Sequence, residues 1–259
     1  MIDRIDLDHV ALAVERWEQH WPRFRTELGG EWVAHDDDSA APGFAAQQLR
    51  YRNGMKVELL KPANVEQNDF LRRFLDRNGP GPHHLTFKVG DIVQALETAE
   101  ASGYRPVNVN LAWDDWKEAF LHPKDIPGVV VQLAQSTGTW ETAPVAGFPG
   151  TDLARPAVLD RVVHAVADID EGLRLFEGLL RGERVDKGDD DLGTWIELAW
   201  PGPGRIRLVQ LHDPDPWLGG RAGRVHHLHF TVDGDQAGAA EVGPDDNHGV
   251  RLVVATEEA

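Results

Sequence analysis

Cysteine is missing from all 259 positions of the chain. Its absence removes disulfides, thiolate nucleophiles and Cys-ligated zinc, fits a reducing compartment, and leaves only nitrogen and oxygen donors for any metal. Basic residues are also scarce: 26 Lys and Arg stand against 43 Asp and Glu, a formal charge of -17. Long-range attraction to a nucleic-acid backbone or an anionic membrane is thereby disfavoured. No stretch approaches the ~20 apolar residues of a membrane span, and the opening MIDRIDLDHV carries charges where a signal peptide needs an apolar core. These absences predict a cytoplasmic protein whose partner is a small molecule, with no nucleic acid and no membrane involved. The length suits two domains of ordinary size, each able to bury a core.

What is present is a pattern used four times. Ile5 to Val14 reads as a strand and Trp17 to Leu28 as an amphipathic helix closed by Gly29-Gly30; three strand-like runs follow. The last two, Phe44 to Tyr51 and Met55 to Lys61, flank Asn53-Gly54, a dipeptide suited to the positive φ angles of a tight hairpin. After a linking helix at Val65 to Arg77 the βαβββ order returns, with strand His83 to Val89, helix Ile92 to Ala101, and strands near Tyr104 to Val109, Lys117 to His122 and Val129 to Ala134. A third copy begins at LDRVVHAV, echoing LDHVALAV, and a fourth at RVHHLHFTV, echoing GPHHLTFKV. The fourth is short, because only 17 residues, among them Gln236-Ala237-Gly238-Ala239-Ala240, separate Val232 from its closing strand Val250 to Ala255. The expected fold is α+β: tandem βαβββ modules forming two cup-shaped mixed sheets, the second degenerate. The expected division is a metal-binding domain over 1–135, a Gly-, Pro-, Thr- and Ala-rich linker over 136–156, and a second domain over 157–259.

Alternation within strands selects the donors. His9 is opposed to Val10 and Leu12, Glu58 to Val57 and Leu59, His84 to Leu85 and Phe87, and Gln132 to Val131 and Leu133. His9 and His84 are 75 positions apart, Glu58 and Gln132 are 74, so the two copies carry matching pairs. Facing copies would bring two imidazoles, one carboxylate and one amide oxygen to one point. Such a set suits one divalent ion of Zn, Mn, Fe, Co or Ni, with positions left for substrate oxygens.

The segments LDHVALAV, VELLKP, FLRRFLDRNGPGPHHLTFKVGDI and FLHPKDIPGVVVQL resemble the vicinal oxygen chelate superfamily (glyoxalase, bleomycin resistance protein, extradiol dioxygenase), and the first 135 residues are most similar to methylmalonyl-CoA epimerases. The resemblance implies a metal at the centre of a cup, with its four ligands on His9, Glu58, His84 and Gln132. It implies a lyase or isomerase that chelates its substrate through neighbouring oxygens and removes a proton beside a carbonyl. The epimerase pattern has Gln at the second ligand position and Glu at the fourth, and here the two are exchanged. Its further Glu in the penultimate strand of the first copy is also replaced, since that strand reads FAAQQLRYR. Glu58 is left as the expected catalytic base. Non-haem Fe(II) dioxygenase activity and metal-free binding, as in drug-sequestering members, are the competing readings. Family members often pair, so monomer and homodimer both stay open.

Lys56, Lys88, Gln47 and Trp116 are the expected substrate-facing residues. The two lysines would neutralise an anionic substrate, or else snorkel to solvent. Trp113 and Trp116 bracket Asp114-Asp115 in a loop that could cover the cup mouth or simply pack at an edge. His83 reads as packing, His122 as a turn residue, and His35-Asp36-Asp37-Asp38 as a solvated acidic run. In the second domain the echoes place Arg161, Gln210, His227 and Val253 at the four ligand positions. A permanent cation and an aliphatic side chain there exclude a second metal centre.

Overall fold

Alternating apolar side chains in the first run, Leu7, Val10, Leu12 and their neighbours, form strand β1 (Ile5–Ala13) in the computed structural model, which describes residues 2–36, 42–122, 124–234 and 238–258. The expected helix over Trp17 to Leu28 is instead a 3₁₀ turn, Trp17–Gln19, and a π-helical turn, Pro22–Glu27. Pro22 has no N–H to donate, so a regular α-helix cannot run through it. Strands β2 (Glu31–His35), β3 (Gly43–Arg50) and β4 (Lys56–Ala63) complete the first copy. The hairpin sits where expected, but among its turn residues only Gly54 takes a positive φ, 94°.

Helix α1 (Phe70–Asn78) links to β5 (Gly81–Val89), α2 (Ile92–Ala101), β6 (Pro106–Asn110), β7 (Trp116–Leu121) and β8 (Val130–Ser136). The eight strands form one mixed sheet in the order β2-β3-β4-β1-β5-β8-β7-β6. The first strand of each copy is therefore central, and the two copies mirror each other about the β1/β5 seam. Asp91 caps α2 by accepting from the Gln94 N–H at 3.1 Å, which holds the helix start beside β5.

The later repeats build β9 (Val158–Val166), α3 (Ile169–Leu173, continued by a π-helical turn, Arg174–Leu179), β10 (Glu183–Asp189), β11 (Gly193–Ala199), β12 (Arg205–Leu211) and the short α4 (Asp215–Leu218). They close with β13 (Gly223–Gly234), β14 (Gly238–Val242) and β15 (Leu252–Glu258). This sheet runs β10-β11-β12-β9-β13-β15-β14, seven strands. Among the described residues the fourth copy thus has one strand fewer than the others. Gln236 and Ala237 of its short connecting segment lie outside the described residues. The repeat is visible even at helix ends. Gly30 N–H bonds Phe24 O at 3.0 Å, and Gly182 N–H bonds Phe176 O at 2.8 Å, each donor and acceptor shifted by 152 positions. Arg181 adopts φ 59° where the first copy uses Gly29 at φ 69°. Among the described residues no helix is long and apolar enough to cross a membrane.

By packing, the chain falls into two compact units, Met1–His9 with His84–Thr139 and Arg161–His227, and Val10–His83 with Trp140–Asp160 and Leu228–Ala259. In the first, Phe87 packs on Trp200 at 5.2 Å between ring centroids, and His164 Nε2 lies 2.7 Å from Pro127 O. In the second, Phe230 receives Tyr51 at 4.9 Å and Phe24 at 6.4 Å, and the Tyr51 hydroxyl donates to Phe24 O. Within the first unit Gly128 has φ 77°, and a Cβ there would lie 1.7 Å from Gly223 O. Backbone cannot retreat as a flexible side chain can, so Gly128→Ala is expected to cost about 3 kcal/mol or more. Urea unfolding checks this, and a loss under about 1 kcal/mol would show that the loop relaxes freely.

Candidate metal centre

Four neighbouring strands, β4-β1-β5-β8, carry the four expected donors. The Val14 N–H bonds Leu60 O at 2.8 Å, which sets Leu60 beside Ala13 and hence Glu58 beside Ala11, two residues past His9. On the mirrored half Gln132 is in register with Thr86, two residues past His84. His9, Glu58 and His84 are all buried, and one ligand atom from each lies within 4.8 Å of the others. Among the described residues this is the cluster of three His or acidic groups that meets that distance.

The donor chemistry fits a divalent ion. His9 Nδ1 lies 2.7 Å from Asp8 Oδ2. A carboxylate only accepts, so Nδ1 carries the proton and the ring lone pair stays on Nε2, the tautomer a metal requires. His84 meets His9 edge-on at 6.1 Å between centroids and stands on the Phe120 ring at 5.8 Å, so both rings are held by packing. Gln48 Nε2 donates to Glu58 Oε1 at 2.8 Å, orienting the carboxylate. Two neutral imidazoles and one anion leave a site of net charge −1 for a dication, with ligand separations of about 3–3.5 Å once bonds of about 2.1 Å form. Its field reaches outwards: burial pushes the Asp36 carboxyl up to about 6, aided by Glu58, while burial lowers His83 to about 4 against the opposing pull of Glu58.

Gln132 is held on two sides. Its Oε1 accepts from Thr86 Oγ1 at 2.5 Å, and its Nε2 donates to Glu118 Oε2 at 2.6 Å. The same Glu118 oxygen accepts the Trp116 indole N–H at 2.9 Å. Lys88 places Nζ 3.9 Å from the Trp116 ring centroid and donates to Ser136 Oγ at 2.7 Å. Sequence reasoning missed Glu118. The signal was available: in WKEAFL, Glu118 shares a face with Phe120, and Phe120 is in register with Gln132.

Gln47 departs from expectation. It pairs in register with Leu59, and its Oε1 accepts the Trp21 indole N–H at 3.0 Å, whereas Gln48 is the residue opposite Glu58. Gln47 is fully buried on the other face and does not line the site. Lys56 opens β4 opposite Arg50. His83 packs on Phe74 at 4.7 Å, and His122 accepts the Lys124 N–H at Nδ1, a turn contact. His35 and Asp36 are tied to Thr142 and Ala46, while Asp37 and Asp38 lie outside the described residues. Trp113 is 62% exposed.

The face carrying His9 is narrower than alternation alone suggested. Ala11 and Ala13 pack with Ala46, Leu60, Leu71 and Leu75, so α1 closes one end of it.

The second sheet shows what replaces the donor set. Its β12–β9 register sets Val209 beside Ala165, as Leu60 stands beside Ala13. The residue in the Glu58 position is therefore Arg207, not Gln210, and Gln48 corresponds to Glu197, which pairs with Arg207 in register. Arg207 and Arg161 both converge on Glu197 Oε2, at 3.0 and 3.4 Å. Gln210 instead accepts the Ile169 N–H at the start of α3. An ion-paired cluster occupies the place of the metal ligands.

Residues 8–120 match the family described as the glyoxalase/bleomycin resistance protein/dioxygenase superfamily. An ethylmalonyl-CoA/methylmalonyl-CoA epimerase from Cereibacter sphaeroides is 32% identical over 133 residues, 50% of this chain and 96% of that protein. The mitochondrial methylmalonyl-CoA epimerase of Dictyostelium discoideum is 27% identical over 132 residues, 50% and 77% of the respective chains. Over the whole length the fold is similar to a mutant of 4-hydroxymandelate synthase from Streptomyces coelicolor, with a TM-score of 0.68 at 13% identity, covering 99% of this chain and 93% of that one. A hypothetical protein from Staphylococcus aureus has a TM-score of 0.63 at 11% identity over 98% and 100%. The epimerase likeness belongs to the half that carries His9, Glu58 and His84, and the chain is a member of the glyoxalase/bleomycin resistance protein/dioxygenase superfamily.

Proposed function

We propose that the protein is a metal-dependent lyase or isomerase that removes a proton from carbon beside a carbonyl of a small substrate. The observation that supports this most is the buried His9–Glu58–His84 cluster. His9, Glu58 and His84 would hold one divalent ion, with Gln132 as a fourth donor. The bound ion would supply Lewis acidity to the substrate carbonyl oxygen, lowering the pKa of the adjacent C–H. Glu58 is the base in this reading: Gln48 steadies one of its oxygens, and burial excludes competing water. Lys88 and Trp116, stacked beside Glu118, would face the substrate, and Lys56 would contribute positive charge. Residues 1–135 would form the reacting domain, joined through 136–156 to a metal-free module over 157–259.

Solvent deuterium exchange tests the assignment of Glu58. Acyl-CoA esters come first, because epimerases of such esters are among the relatives; 2-oxo acids and hemithioacetals follow. Glu58→Ala is expected to slow exchange by about a hundredfold or more, as loss of a general base does. Unchanged exchange would remove Glu58 from the role.

Two imidazoles and one carboxylate also match the donor set of non-haem Fe(II) oxygenases, which supports a second reading. Oxygen uptake with catechols after anaerobic Fe(II) loading separates the two.

A further inference from the structure

We infer that Glu118 is a positioning residue that fixes the Gln132 amide with its oxygen, rather than its nitrogen, available to the metal. The inference deepens the proposed metal centre and rests on it. An amide side chain offers NH₂ and C=O at nearly equal reach, and unconstrained it can present either. A metal needs the oxygen. Glu118 removes the ambiguity, because an ionised carboxylate only accepts hydrogen bonds and it lies 2.6 Å from Gln132 Nε2. The NH₂ must therefore face Glu118, and Oε1 must face the β5 side, where Thr86 Oγ1 lies at 2.5 Å. A carbonyl oxygen has two lone pairs, of which Thr86 uses one.

Glu118 is itself held. The Trp116 indole N–H donates to the same oxygen at 2.9 Å, and Lys88 lies over the Trp116 ring at 3.9 Å. The row Trp116–Glu118–Gln132–Thr86 is thus oriented in one direction, each member constrained by its neighbour. The negative charge one bond beyond the amide also polarises it, making the oxygen a better donor than an isolated neutral amide. The first half of the sheet contains the reverse arrangement: Gln48 on β3 donates to Glu58 on β4, so there the carboxylate is the inner residue and the amide the outer one. On each half an amide–carboxylate pair presents oxygen inwards.

The test measures Zn(II) affinity of untagged protein by competition with a chromophoric chelator, together with the visible spectrum of the Co(II) form. Glu118→Leu removes the acceptor that faces the 132 NH₂, so the amide can turn either way, and Zn(II) is expected to bind about ten- to a hundredfold more weakly, with a shifted Co(II) spectrum. In the double variant Glu118→Leu/Gln132→Glu both outer atoms of residue 132 are oxygens and need no orienting partner, and Zn(II) is expected to bind at least as tightly as in the unmodified protein. This variant also serves if the single one does not fold. Affinity within about twofold of the unmodified protein and an unchanged Co(II) spectrum in Glu118→Leu would overturn the inference, and so would a double variant weakened tenfold. His9→Ala distinguishes the levels. If it loses Zn(II) while Glu118→Leu does not, this inference fails alone; if it binds Zn(II) normally, the metal centre is refuted and this inference falls with it.

Discussion

His9→Ala and His84→Ala are each expected to abolish stoichiometric divalent-metal binding, with elemental analysis of untagged protein falling from about one ion per chain to a small fraction of that. Loss of a hydrogen-bond partner one bond beyond a ligand typically costs about ten- to a hundredfold in affinity, so loss of a ligand itself should exceed it. The two imidazoles supply two of the three donors grouped within 4.8 Å, and both sit within strands, where the backbone is held by the sheet. Asp8→Asn should behave differently. It keeps a contact to His9 Nδ1 at 2.7 Å in the parent geometry but removes the charge that fixes the tautomer, so affinity should drop by the smaller factor while metal is retained at saturation. Metal addition should raise the unfolding temperature of the parent protein in proportion to log concentration and leave His9→Ala unmoved. Retention of one tightly bound ion by both alanine variants would place the metal elsewhere, and the proton-abstraction reading would lose its basis.

Much of this centre was legible in the sequence because period-two alternation and the matched separations of His9–His84 and Glu58–Gln132 are local facts that survive folding. The pairing of modules was legible from the repeat, since each copy needs a partner to bury its sheet, whereas the strand order was not. What alternation could not supply was register across a turn. Gln47 and Gln48 are adjacent, and only the β3–β4 pairing through Gly54 decides that Gln48 faces Glu58 while Gln47 turns to Trp21. The same limitation misplaced Gln210: a three-residue shift in β12 leaves the apolar rhythm of RIRLVQL plausible, yet the parallel pairing with β9 sets Arg207 in the Glu58 position. The segment Trp17 to Leu28 reads as one amphipathic helix; its Trp17, Trp21, Phe24 and Leu28 are buried, but Pro22 interrupts the regular hydrogen-bond pattern and a 3₁₀ turn and a π-helical turn take its place. Glu118 escaped attention because a lone acid in a short, half-exposed strand looks like a solvated residue until its partner Gln132 is placed beside it.

Acidification is expected to unfold the protein earlier than its carboxylates alone would suggest, because three imidazoles lowered by burial, His83, His164 and His20, oppose protonation. His164 is fully buried, with Nε2 donating to Pro127 O, and burial lowers it to about 4 against that hydrogen bond. His20, against Phe24 and His248, is lowered to about 4, again chiefly by burial. Between the unfolded value of about 6.5 and the folded value of about 4, the unfolded chain takes up protons that the folded chain refuses. Stability therefore falls as pH drops through that window, by about 3 kcal/mol for each imidazole, and is fully present only above it. Asp36, raised to about 6, works in the opposite direction and offsets part of this loss, because its folded form binds a proton more readily than the unfolded one. His164→Gln isolates one contribution: it keeps an N–H donor for Pro127 O but cannot titrate. Whatever its stability at neutral pH, its loss between about pH 7 and about pH 4.5, measured by urea unfolding, should be smaller than that of the parent by about 2–3 kcal/mol. Parallel curves for the two proteins would mean that His164 finds water or a counter-charge when protonated, and burial would not be the reason for its low affinity for protons.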